Sequence, residues 1–222
     1  MRVDREFVFA AVADERRRIA CLLDGLSPAQ LATPSLCAGW DVKTVAAHAV
    51  SSATDGTPTF LRLALRRRSM ARAIDELARR RGELPAAEIV ASLRECADRR
   101  IDPPLFGPLD PLADVLVQSA DIRIPLGLPF QPDPQRAALA MDFLTGRWPF
   151  GFVPLGRLRG IRLCAGDIDW AWGSGAEIRG PVAALMLAVT GRTALLGMLD
   201  GPGLPILVSR LSVQSGDPRR KA

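Results

Sequence analysis

SLCAGWDVKTVAAHAV, residues 35–50, reads as a loop feeding a capped helix, and it holds His48, the one histidine in 222 residues. Asp41 is an N-cap residue type at the point where the loop gives way to helical spacing, and Trp40 before it can staple onto Val45. The stretch predicts a helix over about 41–52 with His48 on the side of Val45 and Ser52. Chemistry that needs an imidazole must pass through this one helix.

Working outward, the pattern is mostly helical. Val8, Val12, Ile19, Leu22 and Leu23 recur near helical spacing over 4–24, and Gly25 supplies a stop. Ser27-Pro28-Ala29-Gln30 is a capping-box start for one short turn. Thr54 to Pro58 breaks the pattern, and Phe60 opens an interrupted helical stretch to about Arg81. Pro85 begins a helix over 86–100, Pro111 opens another to about Arg123, and a further one covers 133–145. Beyond Gly146 the texture changes to GRWPFGFVPLGRLRG, a linker in composition. Ile161–Cys164 and Ile168–Trp172 read as two short strands, the second closed by Gly173-Ser174-Gly175. Pro181 starts an apolar helix, PVAALMLAVT, stopped by Gly191, and two helical pieces at 193–199 and 203–211 follow. The tail SGDPRRKA is expected to be disordered. The fold class is mainly α: a helical bundle over 1–146 followed by a small α+β domain over 155–213.

Composition narrows the functional classes. At 48% hydrophobic residues the chain can bury a substantial core, and no apolar run approaches the roughly 18–20 residues that span a bilayer. The charged N-terminus lacks a signal-peptide h-region, so a cytoplasmic location and no membrane partner are expected. Cys21, Cys37, Cys96 and Cys164 form no CxxC pair, which argues for reduced thiols over a disulfide framework or a thiolate zinc site. The net charge of +5 rests on arginine, since Lys43 and Lys221 are the only lysines. The clusters Arg66–Arg68 and Arg79–Arg81 lie in helical segments with Asp75 and Glu76 between them, which fits an ion-paired face. No aromatics interleave with them, so no nucleic-acid partner is expected.

A second stretch carries chemistry: LADVLVQSADIRIPLG, residues 112–127, places Asp114, Gln118 and Asp121 at i, i+4 and i+7 of a helix. Such a stripe is either a solvent face, with Asp121 paired to Arg123 or capping a loop, or the lining of something buried. His48 among alanines is in the same position: a partly buried histidine bonded to a neighbour, or a ligand. Residue types alone leave both open.

These segments resemble the mycothiol-dependent maleylpyruvate isomerase family of the DinB-like superfamily. SLCAGWDVKTVAAH matches its Cys-x-Gly-Trp turn leading to a helix with a ligand histidine. DVLVQSADIRIPLG matches a carboxylate, three residues, a histidine, two residues and Asp-Ile-Arg-x-Pro-Leu-Gly. GIRLCAGDIDWAWGSGAEIRGPVAALMLAVTGR, residues 160–192, resembles the small domain that follows the bundle. The resemblance implies a DinB-like four-helix bundle and a divalent-metal site, zinc in kind, built from His48, Asp114 (glutamate in many members) and Gln118. Gln118 stands where metal-binding members have histidine, which weakens the site. The resemblance further implies mycothiol as thiol cosubstrate and transferase or cis–trans isomerase activity on a small electrophilic or anionic substrate. A cleft arginine would hold that substrate, and Arg123, Arg179 and Arg192 are the candidates, between which the sequence does not choose. A homodimer is compatible with the bundle's apolar faces. The alternative is a non-catalytic or metal-free small-ligand-binding protein on the same scaffold. Asp121 and Arg123, which end the ligand helix, are expected to be structural.

Overall fold

The chain divides into two units, Met1–Phe130 and Gln131–Ala222. The computed structural model describes residues 3–103, 106–147, 149 and 151–215. The architecture is mainly helical with one small sheet, as the sequence pattern requires.

The first unit contains α1 (Arg5–Asp24), α2 (Pro28–Leu31), α3 (Val42–Thr54), α4 (Gly56–Arg67), α5 (Met70–Gly82), α6 (Ala86–Glu95) and α7 (Leu109–Arg123). Helices α1, α3, α6 and α7 pack on one another, α5 lies against α3, and α4 against α5. Val8, Val12, Ile19 and Leu23 of α1 are buried as their spacing predicts, and each such side chain contributes about 1.5–3 kcal/mol of hydrophobic stabilisation. Asp4 caps α1 by accepting from the Glu6 and Phe7 backbone N–H groups. At α2 the capping box is complete, with Ser27 and Gln30 each accepting from the other's backbone N–H.

Local chemistry also builds the entry to α3. Gly39 holds a φ of +82°, a left-handed conformation that side chains disfavour, and the chain turns there into Trp40. Asp41 then caps α3, its carboxylate accepting from the Thr44 N–H at 2.7 Å. Asp41→Ala is expected to lower stability by about 1 kcal/mol, measured by urea denaturation. An unchanged midpoint would mean that another group caps this helix.

The break read at 54–58 is shorter than expected. α3 ends at Thr54 and α4 begins at Gly56, so Pro58 sits in the first turn of α4, where its missing N–H costs nothing. Similarly, α7 starts at Leu109, with Pro111 inside its first turn. Four arginines of the two clusters are ion-paired: Arg67 and Arg80 to Glu76 at 2.6 and 2.7 Å, Arg79 to Asp75 at 2.8 Å, Arg81 to Asp55 at 2.5 Å. No helix among the described residues is long and apolar enough to cross a membrane.

The second unit holds α8 (Pro134–Leu144), β1 (Ile161–Ala165), β2 (Ala171–Gly173), β3 (Ala176–Gly180), α9 (Val182–Val189) and α10 (Leu204–Ser215), with a 3-10 turn at Leu196–Met198. Helix α8 thus belongs to the same unit as the sheet, whereas the sequence reading carries the bundle to residue 146. The sheet order is β2-β1-β3, with β1 antiparallel to β2 and parallel to β3. Gly173 enters the β2–β3 turn at a φ of +79°, and a Cβ there would lie 2.6 Å from the Ile161 carbonyl oxygen. All eight residues of α9 are buried, so it is apolar on every side, the signature of a central helix.

Two details differ from the sequence expectation. Strand β2 starts at Ala171 rather than Ile168, because residues 166–169 form the connecting turn, which the Ala165 N–H closes on the Trp170 carbonyl at 2.9 Å. Within it the Asp167 carboxylate accepts from the Val182 N–H at 2.8 Å at the start of α9. Strand β3 went unread. Only Ile178 in it is buried, so AEIRG carries no apolar alternation strong enough to mark a strand. The tail from residue 216 lies outside the described residues.

Candidate functional site

The site is assembled by α1, α3 and α7 of the first unit. α3 presents His48 and α7 presents Asp114, and His48 Nε2 lies 3.9 Å from Asp114 Oδ1. That is beyond hydrogen-bond reach but close enough for one small atom to bridge them. The two side chains retain 17% and 24% of their exposure, so both are accessible. Trp40 backs the histidine, with ring centroids 5.2 Å apart at 59°. The indole is in turn fixed by its Nε1, which donates to Asp75 Oδ1 at 2.7 Å. Burial pushes the Asp75 carboxyl up, but hydrogen bonds from Trp40 and Arg79 outweigh it and hold its pKa below the usual value. The imidazole is therefore positioned by a loop that Gly39 and Asp41 shape.

Beside this pair opens a cleft of about 330 Å³, counting space continuous with solvent. Asp110, Asp114 and Gln118 line it from successive turns of α7, Ala49 and Ser52 from α3, and Arg16 from α1. Arg16 is 3% exposed, and its Nη1 donates to the carbonyls of Cys96, Ala97 and Arg99 at 3.3, 3.3 and 2.9 Å. Gln118 is 4% exposed, and its Nε2 has no hydrogen-bond partner among the described residues. Burial, and the negative charge of Asp114, push the Asp110 carboxyl up to about 7.

Three sequence-derived residues thus fall together. His48 and Asp114 form a pair, and Gln118 shares the cleft with Asp114. Asp121, placed on the same stripe by spacing, is instead 2% exposed and does not line the cleft; its backbone carbonyl accepts from the Leu36 N–H at 3.4 Å. Arg123 donates from Nε to Ser119 Oγ at 3.2 Å and is also outside the lining. Arg179 and Arg192 belong to the second unit, where Arg179 pairs with Glu177 at 3.1 Å and Arg192 donates to the Thr190 carbonyl at 3.0 Å. Reasoning from sequence missed Arg16 and Asp110. Asp110 carried a usable signal, because the i, i+4 spacing that links Asp114 to Gln118 reaches back to it. Arg16 carried none, being one arginine among many.

The donor set does not suit a resident zinc ion. It offers one imidazole, the Asp114 carboxylate and a neutral amide, without the further imidazole or thiolate that zinc sites take. No cluster of three His, Cys, Asp or Glu side chains able to hold a metal occurs among the described residues. A buried guanidinium on the same cleft further opposes a second cation.

The class of protein is set by the fold: a helical bundle joined to a small α+β unit. The crystal structure of the mycothiol-dependent maleylpyruvate isomerase has this fold, with a TM-score of 0.62 at 13% identity, covering 90% of this chain and 93% of that one. A histidine-to-alanine mutant of that enzyme matches at a TM-score of 0.58 and 12% identity with the same coverage. No curated protein is significantly similar in sequence. Residues 12–105 match the family model described as the mycothiol maleylpyruvate isomerase N-terminal domain. The matched stretch includes Arg16 and His48 and ends before Asp110, Asp114 and Gln118.

Proposed function

We propose that this chain is a mycothiol-dependent transferase or isomerase acting on a small electrophilic or anionic substrate in the cleft lined by Arg16 and Asp114, beside His48, as a cytoplasmic protein. The observation that carries the reading is the approach of His48 Nε2 to Asp114 Oδ1 at 3.9 Å, made by two helices of a fold whose relatives do thiol chemistry. His48, Asp114 and Gln118 are the residues where a divalent ion would sit, and Gln118 makes that site weak. The chemistry is therefore assigned to the chain's own groups.

His48 accepts the thiol proton, and the Asp114 carboxylate stabilises the imidazolium that results. The thiolate adds to one carbon of an activated double bond, the substrate rotates about the single bond so formed, and the thiolate leaves as the double bond reforms. Thiol and proton are returned unchanged, and the net result is cis–trans isomerisation. A substrate with a leaving group would instead be displaced, giving transfer. Arg16 holds the substrate's negative charge throughout.

A second reading, a metal-free binding protein without catalysis, is favoured by Gln118, a buried amide at the position where the metal-binding members of the family it resembles have histidine. The test is mycothiol-dependent isomerisation of maleylpyruvate by chelator-treated and zinc-reloaded protein, with zinc content measured in parallel and His48→Ala as control. Turnover that survives chelation and is lost in His48→Ala is expected, with zinc well below one ion per chain. Absence of turnover with or without zinc would sink the enzymatic reading and leave the binding one.

A further inference from the structure

Two buried side chains of the first unit line the same cleft, one a cation with no contact ion pair and the other an amide donor with no acceptor among the described residues. The first is Arg16. Its Nη1 is satisfied by three backbone carbonyls where the chain leaves α6, which ties α1 to that end. No carboxylate among the described residues comes within ion-pairing distance of it. Burial lowers its pKa against the opposing pull of Cys96 and Asp114, yet an arginine remains charged in a protein. Buried charges are stable when paired, and this one feels the Asp114 charge without a carboxylate in contact with it. The second is Gln118, whose Nε2 is a donor with nothing to donate to. An unmade buried hydrogen bond of this kind costs about 1–3 kcal/mol.

We propose that this cleft binds the carboxylate of a small organic acid directly, without a metal ion, through the Arg16 guanidinium and the Gln118 Nε2 amide. One ligand then supplies both missing partners. The planar guanidinium fork matches a carboxylate in geometry. The remaining wall selects its charge. Asp114 is an anion on the same surface, so one singly charged carboxylate group beside Arg16 is tolerated where a dianionic phosphate group adds two negative charges against one cation. Asp110, neutral below about pH 7, adds a donor O–H and not a third charge. Ile101, Pro111 and Val115 supply the apolar wall for a short carbon chain. The inference rests on the cleft being a substrate site and needs neither thiol nor zinc.

The experiment is calorimetric titration of the chelator-treated full chain with acetate, pyruvate and crotonate, with crotonamide as the neutral isostere and inorganic phosphate as a competing anion. The acids are expected to bind, and crotonamide at least tenfold more weakly than crotonate. Arg16→Gln should abolish binding, but it also releases three carbonyls and can unfold the unit. Gln118→Met therefore carries the test independently: it keeps volume, removes the orphaned amide without lowering the melting temperature, and should weaken crotonate at least fivefold. Binding that requires added zinc, equal affinity for crotonate and crotonamide, no binding by any of the three acids, or indifference to Gln118→Met each overturns the proposal. Tighter binding of phosphate than of crotonate overturns its carboxylate assignment. Because these titrations contain no thiol, a failed mycothiol assay leaves them readable, and their own failure leaves the thiol chemistry standing.

Discussion

Gln118→His is expected to raise zinc affinity by at least about ten- to a hundredfold, because it restores an imidazole one helical turn beyond Asp114. The frame for that ion exists. Two ligands held near 2.1 Å from a tetrahedral zinc lie about 3.4 Å apart, and His48 Nε2 and Asp114 Oδ1 are 3.9 Å apart. A few tenths of an ångström, within side-chain rotation, close the difference. The substitution also removes an amide whose Nε2 is buried without a partner, so it relieves one cost while supplying a ligand. Arg16 on the same cleft limits the gain by repelling the ion. The check is competition against a chromophoric chelator for the parent chain, Gln118→His, and Gln118→His combined with His48→Ala. A gain that vanishes with His48 places the ion at this pair. A gain that persists places it elsewhere, and no gain means that the surrounding cleft has changed as well as the ligand.

What the sequence made legible follows from how local each signal is. The capped start of α3 was readable because Asp41, Gly39 and His48 lie within ten residues, and a cap is a local hydrogen bond. The capping box at α2 was readable for the same reason. Strand β3 was not, because its strand character comes from pairing with β1, fifteen residues earlier at Ile161↔Ala176, and not from its own composition. The start of α7 was misplaced by Pro111, which favours a first helical turn without saying which position of that turn it takes.

The candidate site divides along the same line. Asp114 and Gln118 share a helix, so spacing alone put them on one face. Asp121 shows the limit of spacing: seven residues on, the face has rotated by about 20° per heptad and the helix is ending, so its side chain is buried away from the cleft. Arg16 enters only through tertiary structure. It sits on α1 between the buried Glu15 and exposed Arg17, where the pattern predicts a solvated charge. That such a cation is held inside the bundle is the single fact about the site that no local pattern announces.

Asp110→Asn is expected to stabilise the protein above neutral pH by about 2–4 kcal/mol while leaving it nearly unchanged near pH 4. Burial, and then the nearby Asp114 charge, raise the Asp110 carboxyl from 3.8 to about 7. The sign follows from proton counting. Between about pH 4 and 7 the folded chain keeps a proton that the unfolded chain has released, so stability falls as pH rises through this window, by at most about 1.4 kcal/mol per unit. Above 7 the folded carboxyl is ionised too and the loss is complete. Asn keeps the shape of the protonated acid and has no proton to lose, so it removes the loss. The full shift corresponds to about 4 kcal/mol. The position of Asp110 in the first turn of α7 favours its anion through the helix dipole and reduces the figure. Urea denaturation of both proteins at pH 4.5, 6 and 8 reads the difference, which should grow with pH and level off above 7. A variant less stable than the parent at pH 8 would mean that Asp110 is ionised and paired with a cation there, and the charge balance that lets the cleft take a second anion beside Asp114 would have to be drawn without it.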